Sequence, residues 1–193
     1  MNDAEKGLTR AFVAIEFPDE VVKEIARVQG LLGKTKFTGK MTELENLHLT
    51  LKFLGEITDD KLEKAKEALG KVEFGKMKLK LGRIGAFNYK GKPRIAWVKL
   101  EGKEIYALQK KIDDALAGLF PKEERFMGHL TIARIKYAED KKSFSDKLKS
   151  IHIKPIEFEA REFKLKKSEL GRIGPVYTDI EKYSCRQRAE KYR

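Results

Sequence analysis

Two segments of the chain alternate apolar and polar side chains and share nearly the same sequence. Segment 47–54 reads Leu-His-Leu-Thr-Leu-Lys-Phe-Leu, and segment 129–136 reads His-Leu-Thr-Ile-Ala-Arg-Ile-Lys. Alternation with a period of two is typical of strands with one buried face, so we predict that Leu47, Leu49, Leu51 and Phe53 face the core. The opposite face then carries His48, Thr50 and Lys52, matched by His129 and Thr131 in the second segment.

Further strands and four helices are predicted along the rest of the chain. The same alternation predicts strands over 10–17, 76–81, 94–100, 157–167 and 176–183. Apolar residues at helical spacing predict helices from Pro18 to the glycines Gly30 and Gly33, over 59–69 behind the cap Thr58, over 103–118 and over 141–150. Glycine and proline predict breaks or turns at Gly55, 82–85, 87–93 and 171–175. The basic segment 186–193 is expected to fray.

The order of these elements predicts an α+β fold with an internal repeat. Each half of the chain contains strands and helices around one copy of the His-Leu-Thr sequence. Because no linker rich in Ser, Pro or Gly separates the halves, we predict a single bilobal domain over residues 1–193, with helices on the outer faces of mainly antiparallel sheets. Two lobes related by a pseudo-twofold axis would bring both histidine strands to a central cleft.

Composition excludes several classes of protein. The chain has 193 residues, of which 41% are hydrophobic, which is enough for a core and excludes wholesale disorder. No stretch approaches the ~20 apolar residues of a membrane span. The first residues are polar, unlike a signal segment, and the single cysteine, Cys185, excludes an intrachain disulfide framework. We therefore expect a soluble, cytoplasmic protein that acts as a monomer.

The charge balance points to an anionic partner. The chain carries 42 Lys and Arg residues against 30 Asp and Glu residues, a formal net charge of +12. An excess of this kind favours polyanions, nucleic acid above all. The alternative is that the lysines only solvate the surface.

The paired histidines are the residues with the clearest chemical potential. The chain has three histidines, and two of them, His48 and His129, stand in the same sequence setting. An imidazole titrates near pH ~6.5, so one ring can accept a proton while the other donates one near neutral pH. Thr50 and Thr131, two positions further along each strand, could hold phosphate oxygens as negative charge grows. Convergence on one cleft would therefore give an acid–base pair for a phosphate ester.

Other kinds of site fit the sequence less well. A zinc site needs more ligands than two histidines, and neither His-Glu-x-x-His nor Cys-x-x-Cys spacing occurs. Cys185 lies in a basic segment, and we interpret it as an incidental thiol. The Gly-x-x-Gly segments 82–85 and 171–174 fit turns better than phosphate-binding loops. We expect His152 on the surface or at a sheet edge, and Trp97 in the core.

The two histidine segments resemble the paired His-x-Thr-x signatures of the two-histidine phosphoesterase superfamily. Within it, the chain resembles the RNA 2′,3′-cyclic phosphodiesterases, which are also called 2′-5′ RNA ligases. Agreement with that family extends over residues 9–183 and includes the segments 10–15, 94–97, 168–170 and 174–177. In one departure, Gly128 precedes the second motif, where the family usually has proline.

This resemblance implies a reaction and roles for individual residues. The reaction is hydrolysis of a 2′,3′-cyclic phosphate at an RNA end to a 2′-phosphate. The RNA substrates include tRNA fragments among the possibilities. No metal or nucleotide cofactor is expected. His48 is implied to protonate the leaving 3′ oxygen and His129 to activate water, although two symmetric histidines also permit the reverse. Thr50, Thr131 and Arg134 are implied to bind phosphate oxygens. Ideal alternation places Arg134 opposite His129, so this role requires a bulge or a position at the strand end.

Three further residues are candidates for contacts with RNA. Phe12 shares its face with Arg10 and either stacks on a nucleobase or belongs to a second apolar layer. Tyr177 is the alternative stacking platform. Lys52, in phase with His48, either lines the phosphate path or is solvated.

Other functions are also compatible with the sequence. The reverse reaction would give 2′-5′ RNA ligation. A related esterase acting on 2′,5′-linked oligoadenylate or ADP-ribose cyclic phosphate would use the same histidines. A non-catalytic RNA-binding module would use the same basic cleft, but binding alone is served better by Lys or Arg than by a duplicated histidine.

Overall fold

The computed structural model describes residues 7–172 and 174–186, and within them nine antiparallel strands form one continuous sheet. The strands are β1 (Leu8–Glu16), β2 (Phe37–Met41), β3 (His48–Thr58), β4 (Met77–Tyr89), β5 (Lys92–Glu101), β6 (His129–Ala138), β7 (Glu157–Ala160), β8 (Glu162–Leu170) and β9 (Pro175–Ser184). They lie in the order β7-β4-β5-β6-β3-β1-β8-β9, with β2 beside β6. The helices are α1 (Asp19–Leu32), α2 (Asp59–Gly70), α3 (Lys103–Ala115) and α4 (Lys141–Ser150). This architecture confirms the predicted α+β class.

The strand order also confirms the predicted pseudo-twofold relation between two lobes. The six central strands lie in the order β4-β5-β6-β3-β1-β8. If β1 is exchanged with β5, β3 with β6 and β4 with β8, the result is the same order read backwards. Apart from β2, β7 and β9, each half of the chain supplies a strand, a helix, a strand, a helix and a strand. The final strand of this series, β4 or β8, pairs with the first strand of the other half, β5 or β1. The lobes are consequently built by strand exchange between the halves. At their junction, β3 and β6 pair through Leu49 and Leu130.

The helices pack against the sheet and bury one continuous core. Buried aliphatic residues come from every helix, among them Ile25, Leu69, Ile105 and Leu148. The helix starts follow the sequence, because Pro18 precedes α1 and the hydroxyl of Thr58 accepts a hydrogen bond from the backbone of Lys61 in α2. In the part of the chain that the structure describes, no helix is long and apolar enough to cross a membrane.

The hairpin of β4 and β5 is longer than predicted. Its turn consists of Lys90 and Gly91, whose φ angles are 49° and 69°. Most of the predicted loop at 87–93 therefore belongs to the two strands. The sequence misled here because asparagine, glycine and proline at a hairpin end look like a longer loop.

Two glycine positions that were predicted as breaks lie inside strands. The segment 82–85 belongs to β4, and Trp97, buried as predicted, lies across Gly85. A Cβ atom at Gly85 would come within 2.5 Å of the indole ring, so glycine serves close packing there. Gly55 lies inside β3 with a φ of 75°, next to an irregular step in the pairing with β1.

Four other segments differ from the prediction or agree with it. Segment 157–167 was expected to be one strand but contains β7, which pairs with β4, and the start of β8, which pairs with β1. Segment 37–41 forms β2, which its mixed sequence did not predict. The chain turns between β8 and β9 as predicted, and the backbone N–H of Gly171 donates a hydrogen bond to the carbonyl of Gly174. The predicted fraying tail lies outside the described residues except for Arg186, which forms an ion pair with Glu73 at 2.7 Å.

Candidate active site

The same bulge interrupts both histidine strands. The pairing of β3 with β1 skips Leu51, and the pairing of β6 with β5 skips Ile132. One extra residue reverses the alternation of faces beyond it. As a result, buried and exposed side chains follow one another in the same sequence along the 10 residues of β6 and along the matching residues of β3.

The bulge in β6 brings Arg134 to the face of His129, as its implied role requires. Arg134 is exposed and lines the same cavity as His129. The bulge in β3 acts in the same way on Phe53, which occupies the position that corresponds to Arg134. Phe53 is 68% exposed, so the prediction that it faces the core is wrong.

Lys52 is turned into the interior by the same bulge. Its side chain is 3% exposed, its ammonium group forms an ion pair with Asp113, and it donates a hydrogen bond to the carbonyl of Pro121 at 2.7 Å. The prediction that Lys52 is solvated is wrong. Because its ammonium group is bound to Asp113, we no longer assign Lys52 to a phosphate path. Simple alternation could not reveal this, since it assumes an uninterrupted strand.

The tertiary structure brings all the predicted site residues to one cavity of about 520 Å³. Its lining includes His48, His129, Thr50, Thr131, Arg134, Phe12, Tyr177 and the stem of Lys52. His152, by contrast, is exposed and lies outside this cavity, as predicted.

A backbone carbonyl fixes each catalytic candidate in the same orientation. The Nδ1 atom of His48 lies 2.8 Å from the carbonyl oxygen of Asn46, and the Nδ1 atom of His129 lies 2.8 Å from that of Met127. A carbonyl oxygen can only accept, so each Nδ1 carries a hydrogen and donates it. The Nε2 atom of each ring is then the one that can exchange a proton with a substrate.

Aromatic rings surround the two imidazoles. The ring centroid of His48 lies 4.9 Å from that of Phe12 and 5.2 Å from that of Tyr177. Phe12 is only 3% exposed, which favours the interpretation as an apolar layer under His48. The half-buried Tyr177 offers more free surface. His129 has its own neighbour in Phe87, at 5.0 Å, which the sequence analysis missed because it placed Phe87 in a loop.

Burial lowers the pKa of His48 to about 4, although the hydrogen bond to the backbone of Asn46 raises it in part. Lys166 lowers this pKa further and Glu16, which is opposite His48 on β1, raises it. Lys166 forms ion pairs with Glu16 and, at 2.5 Å, with Asp179. Burial raises the pKa of Glu16, but hydrogen bonds from Lys164 and Lys166 outweigh this effect and keep the pKa below its ordinary value. The sequence analysis missed this charged cluster because its members come from three separate strands.

Two arginines that the sequence analysis did not single out also line the cavity. Arg10 on β1 and Arg125, four residues before His129, join Arg134 there. Within the described ranges, none of the three arginines forms an ion pair. In the same ranges, no group of three His, Cys, Asp or Glu residues is arranged to hold a metal ion.

Comparison with known families and proteins gives a consistent result. The model of the LigT like phosphoesterase family matches residues 15–97 and 98–177, one copy for each half of the chain. A protein of Methanocaldococcus jannaschii named RNA 2′,3′-cyclic phosphodiesterase is 37% identical over 90% of this chain and 99% of its own length. A protein of Archaeoglobus fulgidus with the same name is 35% identical over 89% of this chain and 97% of its own.

Solved structures share the fold. The protein TT0787 of Thermus thermophilus has a TM-score of 0.74 and 27% identity, and the match covers 91% of this chain and 97% of that one. The E. coli LigT structure with 3′-AMP has a TM-score of 0.76 and 23% identity, over 93% of this chain and 99% of that one. These matches agree with the antiparallel sheet and four helices described above.

Proposed function

The chain belongs to the LigT-like phosphoesterase family, and we propose that it hydrolyses 2′,3′-cyclic phosphates at RNA ends to 2′-phosphates with its two histidines. The observation that carries this proposal is the placement of His48 and His129 on the central strands, with both rings on one cavity. The relatives from M. jannaschii and A. fulgidus carry the name of this activity. The excess of positive charge suits an RNA substrate.

The proposed reaction is an in-line displacement at phosphorus. Nε2 of His129 takes a proton from water, and the water oxygen forms a bond to phosphorus. The bond from phosphorus to the 3′ oxygen breaks, and Nε2 of His48 gives its proton to that oxygen. The products are a 2′-phosphate and a 3′-hydroxyl, and bulk water restores both imidazoles. Each proton transfer is worth on the order of 10²–10⁴ in rate.

Three other side chains are suited to hold the phosphate oxygens. Thr50 and Thr131 follow their histidines by two positions on the cavity side, and Arg134 reaches that side through the bulge. Hydroxyl and guanidinium donors stabilise the additional negative charge of the transition state. Tyr177, beside His48, is the better candidate for contact with the terminal nucleobase.

The donor role of His48 depends on the substrate. With a pKa of about 4, His48 is neutral near pH ~7 in the free protein, since a histidine is charged only below its pKa. A bound cyclic phosphate places a negative charge beside the ring and raises the pKa. Protonation of His48 is therefore coupled to substrate binding. If His48 is instead the base, it acts in its neutral form, and substrate binding need not raise its pKa.

Analysis of the reaction product tests the proposed activity. RNA ending in a 2′,3′-cyclic phosphate, incubated with the protein and EDTA, should give RNA ending in a 2′-phosphate. A 3′-phosphate product would indicate a different enzyme, and absence of turnover would reject the proposal. Comparison with 2′,5′-linked oligoadenylate and ADP-ribose cyclic phosphate as substrates separates the proposed activity from a related esterase.

Substitution of the histidines tests the mechanism. His48→Ala and His129→Ala should each lower kcat by about 10²–10⁴, while the far-UV circular dichroism spectrum stays unchanged. His152→Ala is the matched control, because this exposed histidine lies outside the cavity. Full activity of both cavity variants would exclude the two-imidazole mechanism, and RNA affinity without any turnover in the wild type would favour a binding module.

The same site would also catalyse 2′-5′ RNA ligation. If the 5′-hydroxyl of a second RNA takes the place of water, its oxygen bonds to phosphorus, the bond from phosphorus to the 3′ oxygen breaks, and the two ends are joined through a 2′-5′ linkage. Ligation needs a high concentration of RNA ends, because water competes for the same position. Incubation of concentrated cyclic-ended RNA with a second RNA that carries a free 5′-hydroxyl tests this, and the joined product should disappear in His48→Ala.

A further inference from the structure

We propose that Arg125 binds a phosphodiester of the RNA chain on the 5′ side of the cyclic end, and so makes the site select polynucleotides over mononucleotides. This inference rests on the proposed function. It starts from the charges that line the cavity, which exceed what a single cyclic phosphate can neutralise.

The lining carries three arginines that form no ion pair among the described residues, Arg10, Arg125 and Arg134. Its remaining charged side chains include Lys40, paired with Glu43, and Lys52, paired with Asp113. The other carboxylate of the lining is Glu123. A cyclic phosphate carries one negative charge. Together with the charge of Glu123, it balances two of the three arginines, so positive charge remains after it binds. Further phosphates of a polynucleotide are the chemically matching partners.

The segment that carries Arg125 is held at its start by a buried carboxylate. Asp113 on α3 accepts a hydrogen bond from the backbone N–H of Glu123 at 2.9 Å and is paired with Lys52. Lys52 in turn donates to the carbonyl of Pro121 at 2.7 Å. The segment 121–127 is therefore attached to the strand of His48 through an ion pair that is nearly inaccessible to water.

The same segment is held at its end by the other catalytic candidate. The carbonyl of Met127 accepts the hydrogen bond from Nδ1 of His129 at 2.8 Å. The ring of Phe126 packs against the core and lies 5.5 Å from that of Tyr106. Arg125 thus extends from a backbone that is fixed on both sides, directly beside the site.

This arrangement lowers the cost of binding an extended anion. Hydrogen bonds to the backbone of Glu123 and Met127, two residues away on either side, hold the segment, so only the guanidinium side chain of Arg125 must be ordered when RNA binds. A guanidinium group can give two parallel hydrogen bonds to a phosphate. Since the terminal phosphate already has two histidines, two threonines and Arg134, Arg125 is available for the next phosphate along the chain.

Comparison of two substrates in Arg125→Ala tests the inference. The substrates are adenosine 2′,3′-cyclic phosphate and a short RNA that ends in the same cyclic nucleotide. We expect the ratio of kcat/KM for the RNA to kcat/KM for the mononucleotide to fall about tenfold, the effect of one charge-assisted contact. The variant Arg125→Lys should keep part of this preference. The matched control is Lys122→Ala, which removes a charge from the same segment at an exposed position bound to Asp114.

A salt series gives a second, independent measurement. The affinity for RNA ending in a 2′-phosphate, measured by fluorescence anisotropy, should depend less on salt in Arg125→Ala, by about 0.7 in the slope of log Kd against log salt concentration. An unchanged substrate ratio and an unchanged slope would overturn the inference while leaving the proposed function intact. If the wild type turns over neither substrate, the proposed function itself fails.

Discussion

At the residue scale, two histidines with matching sequences have different surroundings. Both donate through Nδ1 to a carbonyl two residues upstream. His48, however, is enclosed by Phe12 and Tyr177 and lies near the charges of Glu16 and Lys166, whereas His129 contacts Phe87. A symmetric pair of motifs is thus placed in an asymmetric environment, which suits the proposed reaction with one proton donor and one acceptor.

A substrate with sulphur in place of the 3′ bridging oxygen should identify the proton donor. A thiolate leaves without protonation, because its conjugate acid is far stronger than an alcohol. We expect this substrate to restore most of the activity that His48→Ala loses with the oxygen substrate, and to restore none in His129→Ala. The measurement is kcat/KM for both variants on both substrates. Restoration in His129→Ala instead would reverse the two roles.

At the element scale, the repeated bulge determines which side chains reach the site. It brings Arg134 into the cavity and exposes Phe53, while it buries Lys52 against Asp113. The sequence predicted the two strands and the face of His48 and Thr50 correctly. It could not predict the faces beyond Leu51, because a bulge depends on pairing with a neighbouring strand.

The glycines at strand and helix positions give a testable contrast in stability. Gly85→Ala should destabilise the protein by about 1–3 kcal/mol, because the new methyl group overlaps the buried ring of Trp97. Gly30→Ala should stabilise it by up to about 1 kcal/mol, since this helical position has open space around a Cβ atom. Chemical denaturation measures both changes. Equal stability of Gly85→Ala and wild type would show that the indole moves at little cost.

At the scale of the whole molecule, strand exchange joins the two lobes. The pairs β4 with β5 and β8 with β1 each connect the two halves of the chain. Neither half therefore contains a complete lobe, and the core forms one continuous cluster. This arrangement is typical of a single domain, and the extent of that domain over residues 1–193 stays a prediction.

Equilibrium unfolding should accordingly show one cooperative transition. Fluorescence of the single tryptophan, Trp97, reports on the lobe with β5, and far-UV circular dichroism reports on both lobes. We expect the two denaturation curves to coincide, because loss of either exchanged strand opens both halves. Two separated transitions would show that the lobes unfold independently.

The sequence by itself determined most of the elements and the candidate reacting groups. Alternation and helical spacing predicted the two histidine strands and the four helices, because these patterns reflect local backbone geometry and the burial of one face. Duplication of His-Leu-Thr, together with the family resemblance, indicated two imidazoles and two hydroxyls for a phosphate ester. For Arg134, the implied role required either a bulge or a position at the strand end, and the structure has the bulge.

Only the tertiary structure decided which residues from distant parts of the chain meet. Strand exchange, the contact of Phe87 with His129, the ion pair of Lys52 with Asp113 and the presence of Arg125 in the cavity all depend on pairing and packing between segments far apart in sequence. Local patterns carry no information on such contacts, because the free energy that selects them comes from burying the whole sheet against its helices.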